Sequence, residues 1–271
     1  MKVYAIHDRD LEHKEAIGYL FYYEKADAYI IELRENLNEW EAPLLFKELV
    51  KKGIYTIRKD YALLWVKERV IPSGRQNIGA ILKNAGLKEY NEMALLRLSK
   101  GICSQDNCYI DEVSEDDLPD EISKRRLLTI TECFPVGNDT ILCMFRDDSV
   151  RKLNLQQLSC QYKEISHVLK NKDLFWSVRV GVGGYSITFQ DIIEIEVSIL
   201  REKGGNQLLT AEDFYAFAHN NVVDTTGACE LLQCSRQNLS YLIKSKKLEP
   251  LILGTKENLF SRGAIEQIKN E

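Results

Sequence analysis

Seven of the eleven residues at positions 111–121 are acidic, and three basic residues follow at positions 124–126. A run of this composition cannot be buried in one hydrophobic core with its neighbours, because unpaired charges lose their hydration there. The adjacent glycines Gly204 and Gly205 interrupt the apolar periodicity a second time. The 271 residues are therefore predicted to form several small domains rather than one large one.

These two breaks set the predicted domain boundaries. We predict an N-terminal domain over residues 1–115, an acidic and basic linker over 116–126, a second domain over 127–203, a partly helical connector over 204–221 and a C-terminal domain over 222–271. The predicted fold class is α+β in a multidomain chain, with two small α+β domains before the C-terminal one.

The first two domains show short β-type runs and apolar helical stripes. In the first, we predict strands at 2–6, 17–23 and 29–33, and helices at 43–50, 77–85 and 89–99. In the second, we predict a strand at 127–130, a hairpin of 140–145 with 150–155, a helix near 164–169 and a hairpin of 174–180 with 185–189. Alternation, glycines and an Asp-Asp turn are the signals used.

Overall composition excludes several classes of protein. The net charge of −5 and pI near 5.6 exclude a histone-like polycation, so any contact with nucleic acid is expected to be local. Charges follow the first residues immediately, which argues against a secretory signal, and no apolar run is long enough to cross a membrane. Seven cysteines fit a reducing compartment better than a disulfide framework. We expect a cytoplasmic protein with no membrane contact.

Residues 222–268 carry the pattern that indicates a function. Thr225 or Thr226 is predicted to cap a helix ending at Leu232, the pair Gln233-Cys234 to form a tight turn, and Ser235 to cap a second helix. The second helix would bury Leu239, Leu242 and Ile243 and turn outward Arg236, Gln237, Asn238, Ser240, Tyr241 and Lys244. Residues 248–253 and 259–260 are predicted to form a two-stranded wing, and Ser261 to cap a last helix.

This order of residues resembles the winged helix-turn-helix of the excisionase and MerR type over about 45 residues. The resemblance implies a C-terminal DNA-binding domain whose second helix enters the major groove. One departure is Lys246, at a position just past the second helix where that family has glycine. A lysine in the left-handed conformation would cost about 1 kcal/mol, so a different helix exit is expected.

Side chains that reach bases and phosphates are cationic, hydroxyl or amide in character. The predicted DNA-binding residues are Thr226, Ser235, Arg236, Gln237, Asn238, Ser240, Tyr241, Lys244, Lys247 and Lys256. Residues 235–256 hold five cations against one acid, Glu249, which gives this segment a net charge of +4 inside an acidic protein. We expect double-stranded DNA as the partner, with a homodimer reading two half-sites as a further hypothesis.

The other two domains also resemble known bacterial families. Phe134-Pro135, the run 173–180 and the Gly-Gly-Tyr-Ser-Ile run 183–187 resemble the bacterial domain of unknown function 2442, which implies a compact α+β scaffold or sensor. The runs 17–22, 29–33 and 69–78 resemble the N-terminal subdomain of HipA-type toxin kinases, which implies a protein-binding role. No kinase core motif or phosphate-binding loop accompanies it.

The sequence therefore predicts a non-enzymatic, sequence-specific transcriptional regulator without cofactor or metal. The first alternative is an antitoxin-like or adaptor protein that binds a separate HipA-type kinase through the N-terminal domain. The second is a nucleic-acid enzyme that uses His7, Asp8 and Asp10. The equal spacing within Cys103/Cys108 and Cys229/Cys234 also raises a thiolate zinc site, against which small buried cysteines are the simpler interpretation.

Overall fold

The computed structural model describes residues 1–11, 15–206, 208–254 and 257–271. Helices and several small antiparallel sheets alternate along the chain, so the fold is α+β as predicted. The chain divides into two compact units, Met1–Ser123 and Lys124–Glu271. Within the described residues, no helix has the length and apolar character needed to span a bilayer.

The first unit is built on a five-stranded antiparallel sheet in the order β4-β3-β2-β1-β5. Its strands are β1 (Lys2–Asp8), β2 (Gly18–Tyr23), β3 (Ala28–Leu33), β4 (Thr56–Arg58) and β5 (Cys108–Val113). The three predicted strands are confirmed as β1 to β3, whose β-branched and aromatic residues are mostly buried. Strands β4 and β5 lie at the edges and carry weaker alternation.

Among the described residues, four helices lie between β3 and β5 of the first unit in sequence. They are α1 (Lys47–Lys51), α2 (Lys59–Lys67), α3 (Ile78–Asn84) and α4 (Glu92–Ser99). Helix α4 begins three residues later than predicted, because the Asn91 side chain accepts a hydrogen bond from Ala94 N at 2.7 Å and caps it there. Trp65 of α2 and Leu96 of α4 are fully buried against the sheet.

The predicted linker at 116–126 is mostly helical. A 3₁₀ turn, Glu115–Asp117, is followed by helix α5 (Asp120–Leu127), in which Ile122 is fully buried. Glu121 of this helix forms an ion pair with Arg34 at 2.8 Å. Acids in its first turn and bases in its last turn suit the helix dipole, so the charge pattern interpreted as a linker forms a helix here.

The second unit contains three small sheets. The strands of the first are β6 (Ile130–Val136), β7 (Thr140–Phe145), β8 (Val150–Asn154) and β12 (Gly205–Asn206), in the order β12-β8-β7-β6. Those of the second are β9 (Val178–Val180), β10 (Ser186–Phe189) and β11 (Ile193–Glu196), in the order β11-β10-β9. The third pairs β13 (Val222–Asp224) with β14 (Leu259–Ser261).

Both predicted hairpins of the second unit are present; the strands of the first begin where predicted, and those of the second begin later. The pair β7 and β8 turns through Asp147 and Asp148, with Asp148 at a φ of 61°. The predicted strand at 174–180 is instead helix α8 followed by β9, because Asn171 caps that helix by accepting from Leu174 N at 3.2 Å. The strand predicted at 127–130 begins only at Ile130, where α5 has ended.

Among the described residues after β6, the second unit has eight helices: α6 (Leu155–Ser159), α7 (Ile165–Lys170), α8 (Lys172–Trp176), α9 (Val197–Lys203), α10 (Ala211–Asn220), α11 (Thr225–Leu232), α12 (Arg236–Lys244) and α13 (Arg262–Asn270). Helix α7 confirms the helix predicted near 164–169. Helices α10 and α13 both pack on β6. The predicted second and C-terminal domains thus share one compact unit.

Candidate nucleic-acid interface

Helix α11 opens the C-terminal region directly after β13. Its cap is Asp224, whose Oδ1 accepts from Gly227 N at 2.7 Å. The predicted caps Thr225 and Thr226 are therefore wrong, because an aspartate one residue earlier binds the free N–H groups first. Thr225 instead bonds to the backbone of Asn258 at 3.3–3.4 Å, which ties the start of α11 to the segment before β14.

A short turn separates α11 from α12, as predicted. Gln233 is in the left-handed conformation with φ 51°, and Cys234 N donates to Cys229 O at 3.0 Å. Ser235 then caps α12 by accepting from Asn238 N at 3.3 Å, which confirms the predicted cap. The left-handed residue closes the first helix and lets the second start at a new angle.

The apolar residues of this region form their own small core. Ala228, Leu239, Leu248, Phe260, Ile265 and Ile268 are buried together, and Leu231, Leu232, Leu242 and Ile243 pack against them. Cys229 and Cys234 also pack against this core, as the simpler interpretation of those cysteines expected. Ser261 caps α13 by accepting from Ala264 N at 3.2 Å, again as predicted.

The pair of strands β13 and β14 differs from the predicted wing. Strand β14 pairs with β13, in the register Val223 opposite Phe260, and residues 248–253 contribute only one isolated bridge, Ile252 to Leu259. Leu251, Ile252 and Leu253 are half or more exposed. The apolar alternation at 248–253 therefore forms no strand beyond this bridge, and the strand that pairs along β14 is β13.

The outward face of α12 is as predicted from its sequence. Arg236, Gln237, Asn238, Ser240, Tyr241 and Lys244 are all exposed, as are Ser235, Thr226 and Lys247. Lys256 lies outside the described residues. The nine described residues of the predicted DNA-binding set therefore lie on α11, α12 and the turns around α12, and none of them is fully buried.

Two features define the charge of this face. Arg236 Nη2 donates to Thr226 Oγ1 at 3.0 Å, which links the first turns of α11 and α12 and orients the guanidinium. Within the described part of the chain, Arg236, Lys244, Lys246 and Lys247 form no ion pair. Exposed cations with no carboxylate partner are available to phosphate groups.

The backbone just past α12 shows how the chain accommodates Lys246 in place of a glycine. Its φ is 56°, so the lysine adopts the left-handed conformation that glycine usually takes after a helix. Lys246 N donates to Ile243 O and Lys247 N to Leu242 O, each at 3.0 Å, and these bonds close the helix. The expected different helix exit is therefore wrong: the glycine-like geometry is kept, at the conformational cost of a lysine in the left-handed region.

A buried polar cluster, which the sequence did not predict, joins this region to β6. Glu132 Oε2 accepts from Asn221 Nδ2 at 2.7 Å and from Gly263 N at 3.1 Å. Asn221 Nδ2 also contacts Cys133 O at 3.2 Å. A side chain at Gly263 would overlap Thr131 O and the Glu132 carboxylate. We call Glu132, Asn221 and Gly263 the β6 anchor.

A second carboxylate lies near this anchor on α13. Glu266 accepts from Val180 N at 3.4 Å and from Arg262 Nε at 3.0 Å. Burial raises the pKa of Glu132 to about 7, against the opposing effect of the Asn221 and Gly263 hydrogen bonds. Burial also raises the pKa of Glu266. The C-terminal region is therefore held by groups 89 and 131 residues away in sequence, for which no local signal exists.

The alternative enzyme hypothesis uses His7, Asp8 and Asp10. In the structure these side chains make contacts within the first unit. The His7 ring stacks on Tyr109 at 5.1 Å. Asp8 Oδ1 accepts from Asp10 N at 2.9 Å, and Asp10 Oδ2 accepts from Asn107 Nδ2 at 2.8 Å. Among the described residues, no group of three or more histidines, cysteines or acids is placed to hold a metal ion.

The cysteines of the first unit also make structural contacts. Cys103 Sγ lies 3.7 Å from Asp106 Oδ1. Cys108 is buried in the core of the sheet, and burial raises the pKa of its thiol to about 12.

The α12 face, with its capping bonds, core and unpaired cations, is the best-formed candidate site in the described chain. Comparisons of the chain with family models, with curated proteins and with solved structures give no match.

Proposed function

We propose that the C-terminal region is a winged helix-turn-helix and that the protein is a sequence-specific DNA-binding transcriptional regulator. In this proposal α11 and α12 form the two-helix motif, and α12 enters the major groove. The observation that carries it is the outward face of α12, where six polar, planar or cationic side chains are exposed together.

The charges around α12 support a phosphate-binding role. Arg236, Lys244, Lys246 and Lys247 are exposed and have no carboxylate partner among the described residues. The protein as a whole carries a net charge of −5. A cationic face on an acidic protein limits nonspecific contact with DNA to this region.

Arg236 is the residue best placed to contact a guanine or a phosphate. It lies in the first turn of α12, from which recognition helices reach base edges. Its hydrogen bond to Thr226 leaves the other guanidinium N–H groups available, since a guanidinium has five donors. Gln237 and Asn238, adjacent to it, are amides of the kind that pair with adenine.

The β6 anchor gives the proposed regulator a fixed connection between its parts. Because Asn221 precedes β13 and Gly263 lies in the first turn of α13, the bonds to Glu132 hold the start of the C-terminal region and the start of its last helix against β6. The middle region would then act as a scaffold that orients α12, in line with the scaffold or sensor role proposed for it. A cytoplasmic location is part of the same proposal.

The test is fluorescence anisotropy of the purified full chain on tiled double-stranded DNA from around its own gene, with random-sequence competitor. One tile should bind well above the competitor. Four phosphate contacts per chain would give a log-log salt slope of about −3.6. Equal binding of all tiles, or no binding by folded protein, would contradict the proposal.

The antitoxin-like or adaptor role remains a second candidate, favoured by one observation on the first unit. Trp40 and Leu44 are 79% and 86% exposed, and the Lys47 ammonium lies 3.7 Å from the Trp40 ring. Large apolar side chains this exposed are typical of protein-binding surfaces. Trp40→Ala should then abolish capture of a HipA-type kinase core by the full chain, while DNA binding stays unchanged.

A further inference from the structure

A groove of about 480 Å³ lies beside helix α10. One stripe of the helix, Glu212, Tyr215, Ala216 and His219, forms part of its lining, and Trp176 at the end of α8 forms another part. The stripe spans seven positions of one helix face, which is about 10 Å along the axis. A groove of this volume is typical of a site for a small molecule.

Two aromatic side chains of the lining leave much of their surface open. Trp176 is 40% exposed and Tyr215 is 64% exposed. The ring of Phe175, which is buried, lies edge-on to Trp176 at 6.2 Å, and the ring of Phe214 lies 6.0 Å from Tyr215. Trp176 is therefore supported from behind by a buried ring, and both lining rings remain available to a ligand.

The three tryptophans of the chain differ in what lies over their rings. The Lys47 ammonium lies 3.7 Å from the centre of the Trp40 ring, and the Arg69 guanidinium lies 3.8 Å from that of Trp65. No cation of the described residues lies over Trp176. The faces of aromatic rings attract cations, and tryptophan does so most strongly. The face of Trp176 is thus free for a cation that comes from outside the described chain.

The charge of the groove also suits a cation. Glu212 carries a carboxylate that forms no ion pair with any described residue, and the described lining contains no lysine or arginine. The groove reaches Asn220, the last residue of α10, where the helix dipole is negative. His219 offers a ring nitrogen for a hydrogen bond. A carboxylate, a helix C-terminus and two ring faces together attract a cation and repel an anion.

We propose that this groove binds a small organic cation, an amine with an aromatic or other flat apolar body. Glu212 and the ring faces neutralise its positive charge, and its body packs along the stripe of α10 beside Trp176 and Tyr215. A ligand about 10 Å long matches the length of the stripe. Binding in this groove is independent of DNA binding by α12.

Titration of the full chain with three matched probes at about pH 7.5 tests the proposal. Phenethylammonium, phenethyl alcohol and phenylacetate share a benzene ring on a short chain and are positive, neutral and negative at that pH. The indole N–H signals of isotope-labelled protein report one tryptophan each by nuclear magnetic resonance. The signal of Trp176 is identified by its absence in Trp176→Phe.

The cation should move the Trp176 signal with a dissociation constant of about 1 mM, as expected for so small a ligand. The alcohol and the acid should bind about tenfold more weakly or worse, because neither gains from the carboxylate and the ring faces. The signals of Trp40 and Trp65, whose rings already lie under cations of the chain, are internal controls and should not move.

Glu212→Gln separates charge from shape. The variant should bind the cation about threefold more weakly or worse and the alcohol as wild type does, because the amide keeps the size of the side chain and loses its charge. Glu230→Gln makes the same change at an exposed position of α11 outside the groove and should bind all three probes as wild type does. Both positions are exposed, so both variants should fold normally.

Four results would overturn the proposal. They are equal affinity for the cation and the alcohol, tightest binding of the acid, no movement of the Trp176 signal by the cation up to about 10 mM, and a Glu212→Gln variant that binds the cation as wild type does. Movement of that signal on dilution without a probe would show that a second copy covers the groove, which would overturn it as well. None of these readouts uses DNA, so failure of this site and failure of the proposed DNA binding are distinguishable.

Discussion

Helices α10 and α12 both lie in the second unit and both expose a full face, but the faces differ in chemistry. The face of α12 carries amides, hydroxyls and cations, whereas that of α10 carries Phe214 and Tyr215 with one acid and one imidazole beside them. Polar faces of the first kind suit phosphates and base edges, and aromatic faces of the second kind, beside a carboxylate, suit an organic cation.

The way each helix is held explains this difference. Helix α12 packs by Leu239, Leu242 and Ile243, so its apolar side is consumed by the core and its polar side remains outside. Helix α10 is held by the Asp213–Lys152 pair and by Phe217, whose ring lies near Phe134, while Phe214 and Tyr215 remain outside. The residues that anchor a helix thus decide which chemistry it offers to a partner.

The largest effect is expected from removing the anchor of α10. Asp213→Ala leaves Lys152 mostly buried without a partner and breaks the capping box, so the free energy of unfolding should fall by about 3 kcal/mol. Glu212→Ala, the adjacent exposed acid, is the control and should change stability by less than about 0.5 kcal/mol. Urea denaturation of both variants measures this, and equal effects would show that the pair does not fix the helix.

The next effect is a pH dependence from the β6 anchor. The pKa of Glu132 is raised from 4.5 to about 7, so its neutral form is favoured in the folded protein. The contribution of neutral Glu132 to the free energy of unfolding is complete below pH 4.5 and is lost as the pH rises through 7. For a pKa shift of this size it amounts to about 3 kcal/mol. Glu132→Gln should flatten the dependence of stability on pH between 5 and 8.

Only part of the pH dependence should disappear, because burial also raises the pKa of Glu266. Ionisation of Glu266 therefore also lowers the free energy of unfolding as the pH rises. Denaturation midpoints at several pH values for wild type and Glu132→Gln provide the measurement. A stability of the wild type that rises from pH 5 to pH 8 would contradict the assigned direction.

On the α12 side, Arg236→Ala should weaken binding to a specific DNA site by about 1 to 3 kcal/mol. Lys170→Ala removes one exposed cation from another helix of the same unit and should leave specific affinity unaltered. Competition anisotropy with a specific and a random duplex measures both, and equal losses in the two variants would point to a general charge effect.

The smallest effect concerns Lys246, which separates conformation from charge. Lys246→Gly relieves a left-handed lysine and should stabilise the fold by about 1 kcal/mol. The same change should make the salt slope of DNA binding shallower by about 0.9. Lys247→Gly, next to it but outside the left-handed region, should share the second effect and lack the first. Thermal unfolding and salt titrations distinguish the two.

Local signals explain what could be predicted from the sequence. Ser235 and Ser261 cap the helices expected of them, and Gln233 takes the left-handed turn, because each depends on residues within four positions. The sequence favours Thr225 or Thr226 as the cap of α11, whereas the cap is Asp224. All three are good capping residues, and only the backbone conformation determines which of them caps the helix.

Long-range pairing explains what could not be predicted. The apolar run 248–253 has strand character, yet β14 pairs with β13 along its length, across 35 to 39 positions of sequence. The contacts of Glu132 with Asn221 and Gly263 join residues that are even farther apart in sequence, by 89 and 131 positions. The exposed aromatic residues of α10 were also missed, because a helix with apolar residues is expected to bury them.

The proposed function depends most on α12 being the surface that contacts DNA. Hydrogen exchange of the full chain, with and without a saturating amount of the duplex tile that it binds most tightly, tests this directly. Amides of α11, of the turn at Gln233 and of α12 should exchange more slowly in the complex, while β2 and β3 of the first unit stay unchanged. Protection confined to the first unit, with α12 exchanging as in free protein, would contradict the account.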